Sequence, residues 1–285
     1  MRVFLDKFAF IFSIFIFSIF TAVYGFIVYN NDIEPLKIGV YELTNETQDK
    51  TVRFVSMSHI GRGEFYESVY KELEKAKDEG FVLFYEGIFE GSEENLNKFN
   101  SLLGLPEKPD ENFYAKMSKI FGLSSQNTKQ YVEIFGENAY RTDLGLDYLM
   151  EQYNALPNQL TKNFEGMEDI STDVVKNFEK FEKLPEKQKK ITSFILRTSL
   201  NFILKKNFVS EVKLGLGNEA ISEIVINLRN ENLADEVRTS EHKKIIVIYG
   251  GLHYEGFLEN LQAKSNSPRQ EKLIKYNYPI FAKKY

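Results

Sequence analysis

The sequence contains no cysteine, no tryptophan and only three histidines in 285 residues. Without cysteine the chain forms no disulfides, offers no thiolate metal ligands and has no cysteine nucleophile. The common catalytic signatures are missing as well: there is no HExxH zinc helix, no GxSxG nucleophile elbow and no GxxxxGK phosphate loop. These absences direct attention to where the few histidines fall in the sequence.

The sequence also lacks clustered positive charge. Its formal net charge is −5, and charges of both signs are spread along the chain. Proteins that bind nucleic acid usually present a clustered basic surface, so we expect no nucleic-acid partner. With 43% hydrophobic and 27% charged residues, the chain can bury a sizeable core, as one large domain or two small ones.

Charge is missing altogether from residues 8–29, a run dominated by phenylalanine and isoleucine. About 20 such residues cross the hydrocarbon core of a bilayer as a helix. Arg2 and Lys7 precede the run, and an excess of positive charge stays on the cytoplasmic side. We therefore predict a single-pass membrane protein in which residues 1–33 are the anchor with a short flank, the N-terminus is cytoplasmic and the rest lies outside. A cleaved signal peptide is the alternative, although its apolar region is normally shorter, about 7–15 residues.

The chain after the anchor predicts an α/β fold with a mixed, largely parallel sheet covered by helices. Residues 37–43 and 52–57 are rich in β-formers and are separated by a polar stretch, which predicts an antiparallel pair. Residues 64–79 have apolar side chains at helical spacing, and residues 81–85 (FVLFY) are typical of a strand buried on both faces. Strand, helix and strand in this order predict a parallel βαβ unit. Residues 245–249 (IIVIY) predict another buried strand.

The middle of the chain is expected to be helical. Residues 113–237 show mainly helical periodicity, within an α/β domain that spans residues 34–285. Residues 191–204 are the most apolar stretch of this region, and their length and Arg197 favour a helix buried in the core over one that touches a membrane. Glycines at 215–217 match a loose dinucleotide loop, but no strand precedes them, so we interpret them as a turn between helices.

One polar residue that can bind a metal follows each of three predicted strands. These residues are His59, Glu86 and His253. In open α/β sheets, the carboxyl ends of the strands form the edge where ligands bind. Two neutral imidazoles with one carboxylate are a common set for Zn²⁺ and other first-row divalent ions. The sequence thus predicts one divalent metal site, for Zn, Mn or Co, although each histidine taken alone is more commonly a surface residue. His242 lies in a polar stretch and is expected to be solvated.

The residues around these positions resemble motifs of the TraB/GumN/Tiki superfamily, which is related to erythromycin esterase and ChaN-like domains. The segment SMSH at residues 56–59, followed by Glu86, resembles the opening GxxH … E of the superfamily, with Ser56 in place of glycine. The segment RN at residues 229–230, followed by GGLHYEG at residues 250–256, resembles the closing RN … GxxHxxG. A serine at position 56 would disfavour a left-handed backbone there.

The resemblance implies roles for the residues at the matching positions. The metal ligands would be His59, Glu86 and His253. Together with the predicted anchor, it implies a membrane-anchored, metal-dependent hydrolase, such as a protease acting on peptides or proteins outside the cytoplasm, with Glu86 as ligand or general base. Arg229 would bind a substrate carboxylate or stabilise the developing oxyanion in catalysis, and Asn230 would bind the substrate next to Arg229. Other members of the superfamily imply a non-catalytic binding protein that sequesters a peptide, iron or haem.

Simpler structural roles are open for several of these residues. Arg229 is also consistent with an ion pair on a helix surface, and Asn230 with a local backbone hydrogen bond. Asp143 is a further polar candidate, but we interpret it as a helix N-cap. A third hypothesis is a structural module whose pocket has lost its function. The sequence makes no prediction about the oligomeric state.

Overall fold

A computed structural model describes residues 2–33, 35–45, 49–103, 113–157, 178–209, 219–263, 270–276 and 280. The predicted turn at residues 215–217 lies outside these ranges. The chain begins with helix α1 (Arg2–Val28), which continues into a π-helical segment, Tyr29–Ile33. Side chains 12–26 are all exposed, and Phe12–Asn31 is long and apolar enough to cross a membrane. The apolar N-terminal helix predicted from the sequence is therefore present.

Eight strands lie within the described ranges. In chain order they are β1 (Gly39–Asn45), β2 (Lys50–Met57), β3 (Ile60–Gly61), β4 (Val82–Tyr85), β5 (Ser124–Ser125), β6 (Ala139–Arg141), β7 (Lys244–Gly250) and β8 (Gln270–Tyr276). Six of them form one sheet in the order β6-β4-β7-β2-β1-β8, and β3 pairs with β5 separately. Strands β2, β7, β4 and β6 are parallel, whereas β1 is antiparallel to both β2 and β8. The predicted mixed, largely parallel sheet is confirmed.

Helices cover this sheet. After α1 they are, in chain order, α2 (Gly63–Asp78), α3 (Glu93–Leu102), α4 (Phe113–Phe121), α5 (Thr128–Phe135), α6 (Leu146–Ala155), α7 (Glu186–Val209), α8 (Glu219–Ser222), α9 (Leu228–Thr239) and α10 (Tyr254–Ala263). A π-helical segment, Glu223–Asn227, joins α8 to α9. The predicted βαβ unit corresponds to β2, α2 and β4, with β7 inserted between the two strands.

The sheet is buried between two helical layers. Ile246 and Ile248 of β7 lie in one apolar cluster with α2 and α5, whereas Ile245, Val247 and Tyr249 lie in a second cluster with α9 and α10. Successive side chains of a strand point to opposite faces, so a strand covered on both sides must be apolar throughout. This burial is the physical reason that the run IIVIY marks a central strand.

The middle region contains two short strands, β5 and β6, that the helical periodicity did not predict. Where described, residues 113–237 are mainly helical, but β6 joins the edge of the main sheet beside β4. This strand has only three residues, and Tyr140 at its centre is exposed. It therefore lacks the long apolar run that identifies β4 and β7.

The apolar stretch at residues 191–204 forms part of α7, and the prediction that it is buried was wrong. Ile191, Ile195 and Ile203 are 51%, 55% and 52% exposed. Arg197, which favoured a buried helix, donates instead to the backbone carbonyl of Phe121 on α4. Composition identifies an apolar helix, but the covering of its faces depends on how neighbouring elements pack.

Candidate functional site

The three predicted ligands lie at one edge of the sheet. Strands β4, β7 and β2 are adjacent and parallel, and in the register of β7 with β2, Met57 is paired with Gly250. Their carboxyl ends therefore lie side by side, and the chain continues from them into Glu86, His253 and His59. The predicted common edge is confirmed. The side chains of Glu86 and His253 are close together, whereas His59 lies apart from them.

A buried guanidinium lies at the centre of this edge. Arg229 on α9 is 4% exposed, and its Nε and Nη2 donate to the two carboxylate oxygens of Asp143 at 2.9 and 2.7 Å. Nη2 also donates to Oε1 of Glu86 at 2.7 Å, and Nη1 donates to the carbonyl of Val225 at 3.1 Å. Nη1 lies 3.4 Å from Nε2 of His253. Arg229 is thus not a surface ion pair, because its N–H groups are directed at buried protein atoms.

Asp143 belongs to this cluster, and its interpretation as an N-cap was wrong. Helix α6 begins at Leu146, and Gly145 occupies the N-cap position. Asp143 follows β6 at the same edge of the sheet, where its carboxylate accepts from the backbone N–H groups of Gly87 and Leu144, both at 2.9 Å. Its position two residues after a strand resembles that of Glu86, which directly follows β4, but β6 is too short to be recognised in the sequence.

Glu86 carries a negative charge that its neighbours stabilise. Its Oε2 accepts from the backbone N–H of Gly250 at 2.7 Å, and its Oε1 accepts from Arg229. Burial alone would raise the pKa of Glu86, but the positive charge of Arg229 beside it lowers the pKa to about 2. The carboxylate is therefore ionised at neutral pH.

His253 is buried and neutral. Its Nδ1 lies 2.8 Å from Oδ1 of Asn230, and because an amide oxygen only accepts, Nδ1 carries the proton. The lone pair of Nε2 then faces Oε1 of Glu86 at 3.6 Å and Nη1 of Arg229. Burial lowers the pKa of His253 to about 4, although the charge of Glu86 opposes this change. Asn230 consequently orients the imidazole and does not form the local backbone bond considered above.

The structure explains why glycine is required at position 256 and why serine is tolerated at position 56. A β-carbon at Gly256 would overlap the side-chain nitrogen of Asn230, so only glycine leaves the space in which Asn230 reaches His253. Ser56 lies in the extended strand β2. Among the described residues, Asp49 is the one non-glycine residue with positive φ, so the serine at position 56 causes no backbone strain.

His59 lies on the open side of the cluster. Its side chain is exposed, its Nδ1 is 3.2 Å from Oε1 of Gln126, and its ring packs on Tyr114 with centroids 4.9 Å apart. Partial burial and the charge of Glu86 raise the pKa of Tyr114, which places the phenol within electrostatic range of the cluster. Tyr114 and Gln126 come from the helical middle region, where no sequence motif marks them.

The spacing of one pair of donor atoms is close to that of two ligands on a divalent ion. Two ligands of a tetrahedral ion, each about 2.1 Å from it, lie about 3.4 Å apart. The 3.6 Å between His253 Nε2 and Glu86 Oε1 matches this spacing, and both groups are in the ionisation state that a metal requires. His59 stands apart from them, and no three His, Asp or Glu side chains in the described part of the chain have the spacing of a metal site. Arg229 also contacts both donor atoms.

Comparison of the chain with protein-family models, with curated proteins and with solved structures found no match. The resemblance to the TraB/GumN/Tiki superfamily accordingly rests on the motif residues. The structure gathers most of them, together with Asp143, into one buried polar cluster at the carboxyl edge of the sheet.

Proposed function

We propose that the protein is a membrane-anchored hydrolase of the TraB/GumN/Tiki type that acts on peptides or proteins outside the cytoplasm. The observation that carries this proposal is the buried cluster of Glu86, Asp143, Arg229 and His253. Buried charges are costly unless they are paired, and apolar residues of similar volume are often at least as stabilising. The cluster lies where open α/β sheets bind ligands, and it contains strongly shifted pKa values of the kind found at functional sites.

In this proposal a divalent ion such as Zn, Mn or Co belongs to the site. Glu86 and His253 would hold it, and His59, which stands apart from this pair, would have to move towards it to serve as a third ligand. Such an ion supplies a bound water that is acidified and made nucleophilic at neutral pH. Asn230 keeps the lone pair of His253 on Nε2, and Arg229 fixes the carboxylate of Glu86, so an ion on Oε1 would share this oxygen with Arg229.

The pKa values favour ligand and orienting roles over proton transfer. A general base is most effective when its pKa is near the working pH. The pKa of Glu86 is about 2 and that of His253 is about 4, so each is a weak base at neutral pH. A water near Glu86 would therefore be oriented by the carboxylate, which is already fixed by hydrogen bonds and needs no rearrangement.

The substrate-binding roles of Arg229 and Asn230 stay predictions. Arg229 directs its N–H groups at Asp143, Glu86 and neighbouring atoms, so in our proposal it first positions the cluster. A substrate carboxylate would have to compete with one of these acceptors. Tyr114, which is 46% exposed beside His59, is the side chain best placed to contact a substrate from the open side.

The test uses the purified full-length chain in lipid nanodiscs. We expect it to retain a divalent metal and to hydrolyse peptides in a chelator-sensitive reaction. His253→Ala and His253→Gln should both lose metal and activity while keeping the circular-dichroism spectrum of a folded protein. His242→Ala is the matched control, because His242 precedes β7 and lies at the opposite edge of the sheet. Wild-type metal content and activity in folded His253 variants would show that the metallohydrolase proposal is wrong.

A non-catalytic binding protein that sequesters a peptide, iron or haem is the second candidate. The observation that favours it is that Arg229 already contacts both Glu86 Oε1 and His253 Nε2, so both atoms have a partner without a metal. A binding protein would retain its ligand through purification and hydrolyse nothing. His253→Ala, with His242→Ala as control, would then release the ligand without any change in peptide hydrolysis.

We also propose that α1 is an uncleaved anchor with the N-terminus in the cytoplasm. Its support is the exposed apolar surface of residues 12–26, together with Arg2 and Lys7 before it. Protease added to intact cells or spheroplasts should digest the domain, and complete protection would contradict this orientation. A mature protein whose mass lacks α1 would instead identify a cleaved signal peptide.

A further inference from the structure

Helix α7 has one side that packs on α4. Ser193 Oγ donates to the carbonyl of Ile120 at 2.7 Å, and Arg197 Nη1 donates to the carbonyl of Phe121 at 3.1 Å. Arg197 is the only charged residue between positions 191 and 204. Because its guanidinium is directed at α4, the remaining sides of this stretch carry no charge.

A second side of α7 packs on the segment where α1 ends. Asn31 Nδ2 donates to Thr198 Oγ1 at 2.9 Å, and the backbone N–H of Leu36 donates to Oδ1 of Asn201 at 2.9 Å. The side-chain amide of Asn201 also donates to the carbonyl of Asn30. Asn201 and Thr198 are buried, so α7 is fixed to the chain immediately after the apolar helix.

The third side of α7 is apolar and exposed. The large side chains that are at least one third exposed are Ile191, Phe194, Ile195, Leu196, Phe202 and Ile203. From position 191 to position 203 they extend over about 18 Å at 1.5 Å per residue. Large exposed apolar surfaces of this kind mark interaction sites for proteins or membranes.

The exposed side of α7 is continuous with that of α1. The rings of Phe26 and Phe202 meet edge to face with centroids 5.0 Å apart, and each is still about 40% exposed. Lys205 lies one turn further along α7, with its Nζ 4.8 Å from the ring centroid of Tyr29. An aromatic residue and a lysine at the end of an apolar helix are typical of the boundary between lipid and water.

We infer that α7 lies on the lipid bilayer, with Ile195 and Ile203 inserted at the boundary between headgroups and acyl chains. The inference rests on the proposed membrane anchor, since α1 brings α7 to the bilayer surface. A bilayer is the occupant that covers both contiguous apolar surfaces at once, and a lysine beside the junction can place its charge at the level of the headgroups. The domain is thereby held in one orientation by two elements rather than tethered by one.

The absence of cysteine allows a direct test in the full-length chain. Single variants Ile195→Cys and Ile203→Cys are labelled with an environment-sensitive fluorophore and reconstituted into phosphatidylcholine–phosphatidylglycerol nanodiscs. Phe17→Cys in the middle of α1 reports on the anchor, and Glu74→Cys on the exposed side of α2 is the aqueous control. Nitroxide lipids quench labels in the bilayer, and iodide quenches labels in water.

We expect shallow nitroxide lipids to quench positions 195 and 203, deep ones to quench position 17, and iodide alone to quench position 74. Quenching of 195 and 203 by iodide but not by lipid, with position 17 in lipid, would overturn the inference while the anchor stands. Protection of 195 and 203 from both quenchers would also overturn it, because a protein surface then covers them. Loss of lipid quenching at position 17 alone would contradict the anchor, and quenching at 195 and 203 would still support α7 as a membrane contact.

Discussion

At the scale of single residues, Gly256 keeps the space that Asn230 occupies. Asn230 is 1% exposed, so its side chain cannot move aside when a β-carbon is added at position 256. We expect Gly256→Ala to displace Asn230 from Nδ1 of His253 and to lower the free energy of unfolding by about 1–3 kcal/mol, the range for overpacked cores. Chemical denaturation measures the loss, and nitrogen chemical shifts of His253 report the tautomer.

Gly63→Ala is the matched control for this substitution. Gly63 begins α2, and an added β-carbon meets no atom within 4 Å. Alanine there should be neutral or stabilise the protein by less than about 1 kcal/mol, since it restricts the unfolded chain. Equal effects of the two substitutions would contradict the packing role of Gly256.

Arg229 connects two carboxylates that are almost completely buried. The side chains of Asp143 and Glu86 are 0% and 13% exposed, so removal of the guanidinium leaves two negative charges unpaired. We expect Arg229→Ala to destabilise the protein by about 3–5 kcal/mol, as for other broken buried pairs. Lys75→Ala removes an exposed pair with Glu79 and should cost less than about 0.5 kcal/mol. Similar losses from both variants in denaturant titrations would refute the central role of Arg229.

At the scale of elements, the sequence predicted the parts of the fold that are buried on both faces. The runs that became β4 and β7 are apolar because helices cover both sides of the sheet, and the residues after them mark its carboxyl edge. The short strand β6 has no such run, so Asp143, although a polar candidate, was interpreted as an N-cap and not as a member of the cluster. The exposure of α7 was not predictable either, because it depends on contacts between α7, α4 and the end of α1 that are distant in sequence.

The junction between α1 and α7 depends on Asn201. Its side chain bonds the backbone of both Asn30 and Leu36, and it is completely buried. Asn201→Ala leaves two buried backbone groups without partners, which costs about 1–3 kcal/mol. We expect faster hydrogen exchange and protease cleavage at residues 30–36, with little change elsewhere. Ser199→Ala, at an exposed position two residues away, is the control, and equal protection in both variants would contradict the prediction.

At the scale of the whole molecule, the cluster makes stability depend on pH. The pKa of His253 falls from 6.5 to about 4 on folding, so the unfolded chain binds a proton that the folded chain does not between these values. The pKa of Glu86 shifts in the same direction on folding, from 4.5 to about 2. The contribution of neutral His253 to the free energy of unfolding is therefore complete above pH 6.5 and is lost as the pH decreases to about 4. Below about pH 4.5, protonation of Glu86 in the unfolded chain lowers the free energy of unfolding further.

We expect the contribution of His253 to be on the order of 3 kcal/mol, since each pKa unit corresponds to about 1.4 kcal/mol. The groups that set it are Glu86, Asp143, Arg229 and His59. Thermal melts in chelator from pH 7 to pH 4 measure the effect in the metal-free protein. His253→Gln should flatten the curve in this range, whereas His242→Gln should leave it unchanged. An unchanged slope in the His253 variant would contradict the assignment.

Helix α4 contacts the site at one end and α7 at the other, so its length sets the distance between the site and α7. Tyr114 near its first residue packs on His59, and the carbonyls of Ile120 and Phe121 at its other end accept from α7. Nine helical residues span about 14 Å at 1.5 Å per residue. With α7 on the lipid surface, an extended peptide that leaves the bilayer there covers this span in about four residues, at about 3.4 Å each. If the site hydrolyses peptides, as we propose, it would reach bonds about four residues or fewer from the point where another membrane protein leaves the bilayer beside α7.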